Sequence, residues 1–477
     1  MNTYLPTIGL EIHAELKTRT KMFCNSLNDP LETRPNVNIC PICMGFPGTL
    51  PVANKEAIRH VLRVGTALGG RIADYTEFDR KNYFYPDLPK GYQISQYEYP
   101  LVSGGTLGGV AITRIHLEED AARSQHGSVS TDQNATFSLI DFNRAGLPLM
   151  ELVTEPVIHD AKVASFFAQE LQRLLRALGA GEANMEKGQM RVEANISVSR
   201  DNVLGTKVEV KNINSFRAVE KAIAYEIQRQ TKLLEEGKSI IQETRGWDEN
   251  RSVTFPQRLK EGSHDYRYFP EPDIPKFRLS DVLEFSEEAI RASLPELPQE
   301  KRDRYTALGL KPEDVETLVA DSRYSSFFDA EIAGKLSENA DIKLSANYLL
   351  TDIRGADPTD EELLNLTNGA FADVIRLLRI GDLSSRGAKD VLAALMSEGG
   401  TAEKVARDRG LIQMKDANEL DTLVDAVLAD NPSIVEDIRK GKREALKFLV
   451  GQGMKKSKGA ANPAELERSL QNKIEKR

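Results

Sequence analysis

The stretch Leu294-Pro295-Glu296-Leu297-Pro298 constrains the fold more than any other part of this chain, because the hydrophobic periodicity changes across it. Before it, period-two segments such as Met190–Val198 and Thr206–Val210 read as strands, interleaved with amphipathic helices near 54–68, 160–178 and 217–236. After it, strand signals nearly vanish and helical periodicity runs to the C-terminus. The prolines give the stretch the stiffness of a linker. The pattern predicts an α/β (α+β) body built on a mixed sheet, followed by all-α structure. A softer break at Gly399-Gly400-Thr401 precedes a new helical series, and 477 residues correspond to about three domains at roughly 150 residues each. The expected limits are 1–293, 294–403 and 404–477. The helix after Asp160 shows the local logic. Asp160 is an N-cap candidate, Val163, Phe166, Phe167, Leu171, Leu174, Leu175 and Leu178 form a stripe that reads as core, and Gly179 and Gly181 lie just past the end.

Composition removes several classes of function. No run of about 18 apolar residues exists to cross a membrane, and Met1-Asn2-Thr3-Tyr4-Leu5-Pro6 has neither a basic region nor an apolar stretch for export. The expected address is the cytoplasm. Three cysteines cannot staple a chain this long, so their roles are metal, redox or packing. No Gly-x-x-x-x-Gly-Lys-[Ser/Thr] loop is present, which disfavours a P-loop kinase. The net charge of −9 hides an asymmetry: from Arg439 to Arg477 twelve Lys/Arg face four Asp/Glu. Glycines 441, 451, 453 and 459 interrupt this basic end, which suits an anionic partner such as nucleic acid.

The segment Phe78–Tyr97 crowds charges, amides and four tyrosines into a stretch too polar for a core, and Pro86, Pro89 and Gly91 forbid one long helix. It reads as loop with short extended pieces, built for a polar ligand. Residues suited to metal chemistry lie in three separated places. Strand alternation in Gly9–Leu16 puts Glu11, His13 and Glu15 on one face and Leu10, Ile12, Ala14 and Leu16 on the other. His116-Leu117-Glu118-Glu119-Asp120 sets three carboxylates in a row, which repel unless a cation is near. Glu151 and Glu155 form the third set. Oxygen donors with at most one imidazole suit magnesium or manganese, ions that serve phosphate chemistry, although each set taken singly is more often a surface strand. Cys40-Pro41-Ile42-Cys43, with Cys24 sixteen residues upstream of it, has zinc-knuckle spacing but no evident fourth ligand.

Taken in order, these motifs resemble the B-subunit family of aspartyl/glutamyl-tRNA amidotransferases. The likeness rests on Gly9-Leu10-Glu11-Ile12-His13, Phe78–Tyr97, His116–Asp120, Asn143-Arg144 with Gly146, the Glu151 segment, Lys211–Phe216, Gln242–Arg245 and Lys260–Asp273. It continues to the tail through Gly441-Lys442, Phe448–Gln452 and Lys458–Pro463, so it covers the whole chain.

The resemblance implies a cradle-shaped catalytic domain, a helical domain and a small basic helical domain that grips tRNA. It implies ATP- and magnesium-dependent phosphorylation, with manganese an alternative ion, of the side-chain carboxylate on Glu-tRNA(Gln) or Asp-tRNA(Asn), followed by amidation. Glu11, His13, Glu119 and Glu151 match the family's metal neighbourhood, with Glu118 beside them. Lys81, Lys90 and Arg144 are candidates for phosphate and substrate charge, Tyr83, Asp87 and Gln93 for the aminoacyl or ATP end, and Lys442, Arg443, Lys455, Lys456 and Lys458 for tRNA. The chain has no amidase-type Ser/Lys signature, so the resemblance implies a partner amidase that acts as glutaminase, together with a small third component of the same complex. Zinc-bearing members carry Cys-x-Cys before Cys-x-x-Cys. Here Ser26 replaces the second cysteine, which leaves Cys24, Cys40 and Cys43 as a three-thiol zinc site or, preferably, as none; Lys187 is a second departure. Two alternatives remain: a non-catalytic protein that binds and delivers tRNA, and a metal-dependent hydrolase of a small substrate.

Overall fold

A computed structural model describes every residue except 1–3, 129–135, 201–202, 260–262, 414–415, 441, 443, 458 and 477. The chain divides into two compact units, Met1–Pro298 and Gln299–Arg477.

The first unit is built on a ten-stranded sheet. Its long strands are β1 (Leu5–Glu15), β4 (Val110–Glu119), β5 (Pro148–Thr154), β6 (Met190–Ser199), β7 (Val208–Ile213), β8 (Glu243–Asp248) and β9 (Val253–Leu259). Two short strands, β2 (Asp79–Asn82) and β3 (Tyr92–Ser95), pair with each other and with Phe269–Pro270 in a separate three-stranded sheet. The spatial order of the large sheet is β9-β8-β7-β6-β1-β5-β4, followed by Val102–Ser103 and Arg71–Ile72. Only the β7/β8 pair among these is parallel; β6, β1, β5 and β4 run antiparallel to their neighbours.

Alternation gives this sheet two unlike faces. Leu10, Ile12 and Ala14 of β1, Met150 and Leu152 of β5 and Val192, Ala194 and Ile196 of β6 are all within 1% of complete burial. They join the core with helices α1 (Lys55–Ala67), α2 (Ala161–Ala177) and α3 (Phe216–Glu235). At about 25 cal/mol per Å² of apolar surface, that burial holds the sheet against the helices. The intervening residues Glu11, His13, Glu151 and Arg191 are left on the other face.

Helix α2 starts as its sequence predicts. The Asp160 side chain accepts from the backbone N–H groups of Lys162 and Val163, and Gly179 takes φ +63° just past the end. The apolar stripe is wider than the core beneath it: Leu171, Leu174 and Leu175 are buried, whereas Val163 and Phe166 in the first turn and a half are 41% and 46% exposed. The proline-bearing segment is a hairpin of β2 and β3 with Pro86–Gly91 at its tip, the expected loop with short extended pieces.

The second unit is helical, with one isolated bridge, Leu383 to Ile412, as its only β pairing among the described residues. Two apolar clusters organise it, one running from Tyr305 to Ala406 and one from Val424 to Ile474. Among the described residues of the whole chain, no helix is long and apolar enough to cross a membrane.

Candidate active site

Cross-strand register assembles the site from four distant segments. On the polar face of the sheet, Arg191 of β6 lies opposite His13 of β1, His13 opposite Glu151 of β5, and Glu151 opposite His116 of β4. Directly paired residues point to the same face, so the four polar side chains form one row across four strands. Glu118, two residues beyond His116, shares that face. The row forms the floor of a polar cavity of about 540 Å³, whose wall includes Lys81, Tyr83, Gln93, Tyr266 and Tyr268.

The ring Nε2 of His13 stands 3.5 Å from Glu118 Oε1 and 3.5 Å from Glu151 Oε2, and His116 Nε2 is 3.1 Å from the same Glu151 oxygen. The ligand atoms of His13, Glu118 and Glu151 all lie within 4.8 Å of one another. Burial opposes a charge on His13, but Glu151, Glu118 and Glu193 outweigh it and raise its pKa to about 9. Burial likewise works against the Glu151 carboxylate, and the two histidines hold it well below the usual carboxylate range. A proton on His13 thus helps to balance the two buried carboxylates. One imidazole and two hard carboxylates in this spacing fit a magnesium or manganese ion in place of that proton.

A second acidic group adjoins the first. Glu11, Glu193 and Glu209 bring oxygens within 4.8 Å of one another. Lys211 bonds Glu193 at 2.7 Å and lies 3.8 Å from Glu209, Asn195 donates to Glu11 at 2.7 Å, and Thr244 donates to Glu209 at 2.7 Å. Glu11 and His13, read as one ligand pair from the sequence, therefore serve different groups, one residue pair apart along β1.

Of Glu118 and Glu119, both expected beside the metal, Glu118 lines the large cavity and Glu119 does not. Adjacent strand residues face opposite ways, so with Glu118 in the cavity Glu119 turns away. It accepts from the Ile94 amide at 2.9 Å and pairs with Lys90, in a separate small cavity of about 110 Å³. Lys90 is accordingly drawn off the large cavity, as is Arg144, which pairs with Glu15 at 2.9 Å and with Asp120. Lys81 remains in the cavity, 3.9 Å from Glu118 and over the Tyr266 ring at 5.3 Å. Tyr83 lines it too and donates to Gln93 at 3.0 Å. Asp87 lies at the hairpin tip, where its carbonyl accepts from the Ala122 amide.

Sequence reading passed over Arg191, Glu193 and Glu209, and gave His116 and Lys211 no role. The signal was available for two of them. The alternation that singled out Glu11 and His13, applied to Met190–Ser199, puts Arg191 and Glu193 on one face.

The thiols form a different kind of cluster. Cys24, Cys40 and Cys43 lie within 4.8 Å of one another, and Ser26 Oγ is 3.9 Å from Cys43 Sγ. The fully buried Lys21 ammonium also stands 3.9 Å from Cys43 Sγ and donates to the Ala145 carbonyl at 2.7 Å. A hydrogen bond from Cys24, set against burial and joined by Lys21, lowers the Cys43 thiol, while Cys24 is pushed up. Three sulfurs are one donor short of a closed tetrahedral zinc site, and Lys21, whose pKa burial lowers against the pull of the thiols, stands beside them.

In the second unit, Lys442, Lys455 and Lys456 are exposed, with Lys442 3.2 Å from Asp437 and Lys456 paired with Asp430. Arg443 and Lys458 lie outside the described residues.

Residues 6–284 match the family model described as the GatB/GatE catalytic domain, and residues 330–474 match the GatB domain. The chain is 42% identical to the B subunit of the aspartyl/glutamyl-tRNA(Asn/Gln) amidotransferase of Gloeothece citriformis, over 99% of this chain and 98% of the relative. It is 43% identical to the chloroplastic/mitochondrial B subunit of the glutamyl-tRNA(Gln) amidotransferase of Ostreococcus lucimarinus, over 100% and 99%. Against the B subunit of the Carboxydothermus hydrogenoformans aspartyl/glutamyl-tRNA(Asn/Gln) enzyme the identity is 42%, over the full length of both.

Proposed function

We propose, from the premise that this chain belongs to the B-subunit family of aspartyl/glutamyl-tRNA amidotransferases, that it activates the side-chain carboxylate of Glu-tRNA(Gln), Asp-tRNA(Asn) or both with ATP and directs its amidation. The observation that carries this reading is the convergence of His13, Glu118 and Glu151 on the floor of a polar cavity. A carboxylate is a poor acceptor for ammonia because its leaving group is oxide; an acyl phosphate has a good one. Phosphoryl transfer asks a protein chiefly for positioning and for cations around the migrating charge.

His13, Glu118 and Glu151 would hold a divalent ion, with Glu11, Glu193 and Glu209 as a second acidic group. Such an ion supplies charge neutralisation on the transferred phosphoryl group. Lys81 adds a fixed cation at the cavity wall, and Tyr83 with Gln93 orients the reacting end of the aminoacyl group. His116 holds Glu151 ionised from the side away from His13. Glu119, Lys90 and Arg144 support the walls. Ammonia comes from the partner amidase, which hydrolyses glutamine in a complex completed by a small third component. The domain reading is a catalytic cradle over 1–293, a helical domain over 294–403 and a tRNA-gripping tail over 404–477, with Lys442, Arg443, Lys455, Lys456 and Lys458 on phosphates. Zinc has no part in this reading. The work is done in the cytoplasm.

The test is ADP release from ATP by the chain co-purified with its amidase partner, in the presence of Glu-tRNA(Gln) or of Gln-tRNA(Gln). Release that requires the misacylated tRNA supports carboxylate activation. Release at background in both cases rejects it in favour of tRNA delivery.

A further inference from the structure

Carboxylates already claim some of the positive side chains around the large cavity. Lys81 faces Glu118, and Lys211 bonds Glu193 and lies against Glu209, so both cations serve to offset the acidic groups themselves. Arg191 is held differently. One of its terminal nitrogens, Nη2, bonds Asp120 Oδ1 at 2.8 Å, while 44% of the side chain stays exposed to the cavity. Asp120 belongs to neither acidic group. It is 4% exposed and held well into its ionised form, because Arg191 and Arg144 together overcome the effect of its burial.

The arrangement is a clamp with one working jaw. Arg144 is committed to Glu15 and Asp120 and does not line the large cavity. Arg191 spends a single edge on Asp120. A guanidinium has five N–H donors in a rigid plane, matched to carboxylate and phosphate oxygens, and a buried carboxylate behind it sets the direction of that plane. On the sheet, Arg191 is the direct cross-strand partner of His13, on the side away from Glu151. An oxyanion over His13 therefore meets the cation-binding group on one side and the guanidinium on the other.

We infer that Arg191 is the oxyanion anchor of this cavity, a binding residue for the carboxylate or phosphoryl oxygens of the reacting groups, and that Asp120 is the residue that positions it. The inference rests on the proposed function, since it assigns a ligand within the same site.

The experiment uses the complex with its amidase partner. Wild-type ADP release that fails to depend on Glu-tRNA(Gln) rejects the proposed function itself, and is read before any variant. Arg191→Gln is expected to lower kcat/KM for ADP release about 100-fold, with a lower melting temperature that still leaves the protein folded at the assay temperature, since Arg144 remains on Asp120. Arg191→Lys, which keeps the charge but not the fork, recovers part of that loss. Two binding measurements identify the oxygens. Weaker ATP binding with ADP binding unchanged assigns them to the γ-phosphate. Loss of the preference for Glu-tRNA(Gln) over Gln-tRNA(Gln), with nucleotide binding unchanged, assigns them to the side-chain carboxylate. Either supports the anchor. A kcat/KM within about threefold of wild type, with both preferences intact, overturns it. Asp120→Asn is expected to reproduce the Arg191→Gln defect, with the double variant no worse than either; losses that multiply overturn the positioning role.

Discussion

Two clusters of metal-type side chains lie in the same unit, and they reach charge balance by opposite routes. His13, Glu118 and Glu151 line a polar cavity where Lys81 stands at 3.9 Å from Glu118 alone, and a proton on His13, with a pKa of about 9, adds to the balance. Cys24, Cys40 and Cys43 sit beside Lys21, a buried side chain that is part of the fold itself and whose pKa burial lowers. The difference teaches that two donor groups of similar spacing can stand in unlike electrostatic surroundings. A buried charge must be paired or neutralised, and the two clusters meet that demand with different partners.

The sharpest test of this contrast is Glu151→Gln or Glu118→Gln. Each removes a carboxylate from the group that faces the cavity, and each is expected to lower tRNA-dependent ADP release by about 100-fold or more while tRNA affinity changes little. Parallel loss of tRNA binding, measured by filter retention, breaks the assignment.

The next effect is on pH. A divalent ion must displace the proton from His13, so below pH 9 binding releases one proton and manganese affinity falls by about tenfold per pH unit as the medium becomes more acid. Above pH 9 the dependence levels off. Without metal, the same proton stabilises the fold: the contribution is complete below the ordinary histidine value of 6.5 and is lost as pH rises through about 9. Manganese titrations at several pH values check the first statement, and melting curves in chelator check the second.

The thiol cluster is expected to respond in stability. Cys43→Ser and Lys21→Met each break a buried charge contact and cost about 1–3 kcal/mol, read as a lower melting temperature, with manganese affinity unchanged. The purified chain should carry far less than one zinc. A stoichiometric, tightly held zinc would erase the contrast between the two clusters.

The smallest effect separates neighbours. Glu119→Gln weakens the contact with Lys90 and leaves manganese affinity within about twofold of wild type, because its side chain points away from His13. A loss equal to that of Glu118→Gln would return Glu119 to the metal group.

Much of the fold is legible in local pattern. The period-two run in β1 assigns its faces, Asp160 and Gly179 mark the ends of α2, and the vanishing of alternation near 294 announces a helical second unit. The site is legible only in part. Glu11, His13 and Glu151 stand out by type. Which of Glu118 and Glu119 joins them depends on the register between β4 and β5, set by pairing across some thirty residues of chain. Arg191 lies far along the sequence from His13 and becomes its neighbour only through β1/β6 pairing. Lys21 carries no motif at all; its place among the thiols follows from a loop that closes on the carbonyl of Ala145.

The sequence by itself determined the family, the succession of a mixed-sheet unit and a helical one, and the stock of carboxylates, imidazoles and thiols, because these depend on residue type and short-range periodicity. The tertiary structure alone decided which of those groups share a charge, since Coulomb energy falls off over ångströms of space rather than along the chain. A single strand step carries Glu119 out of the cavity, and a pairing between distant strands brings Arg191 into it.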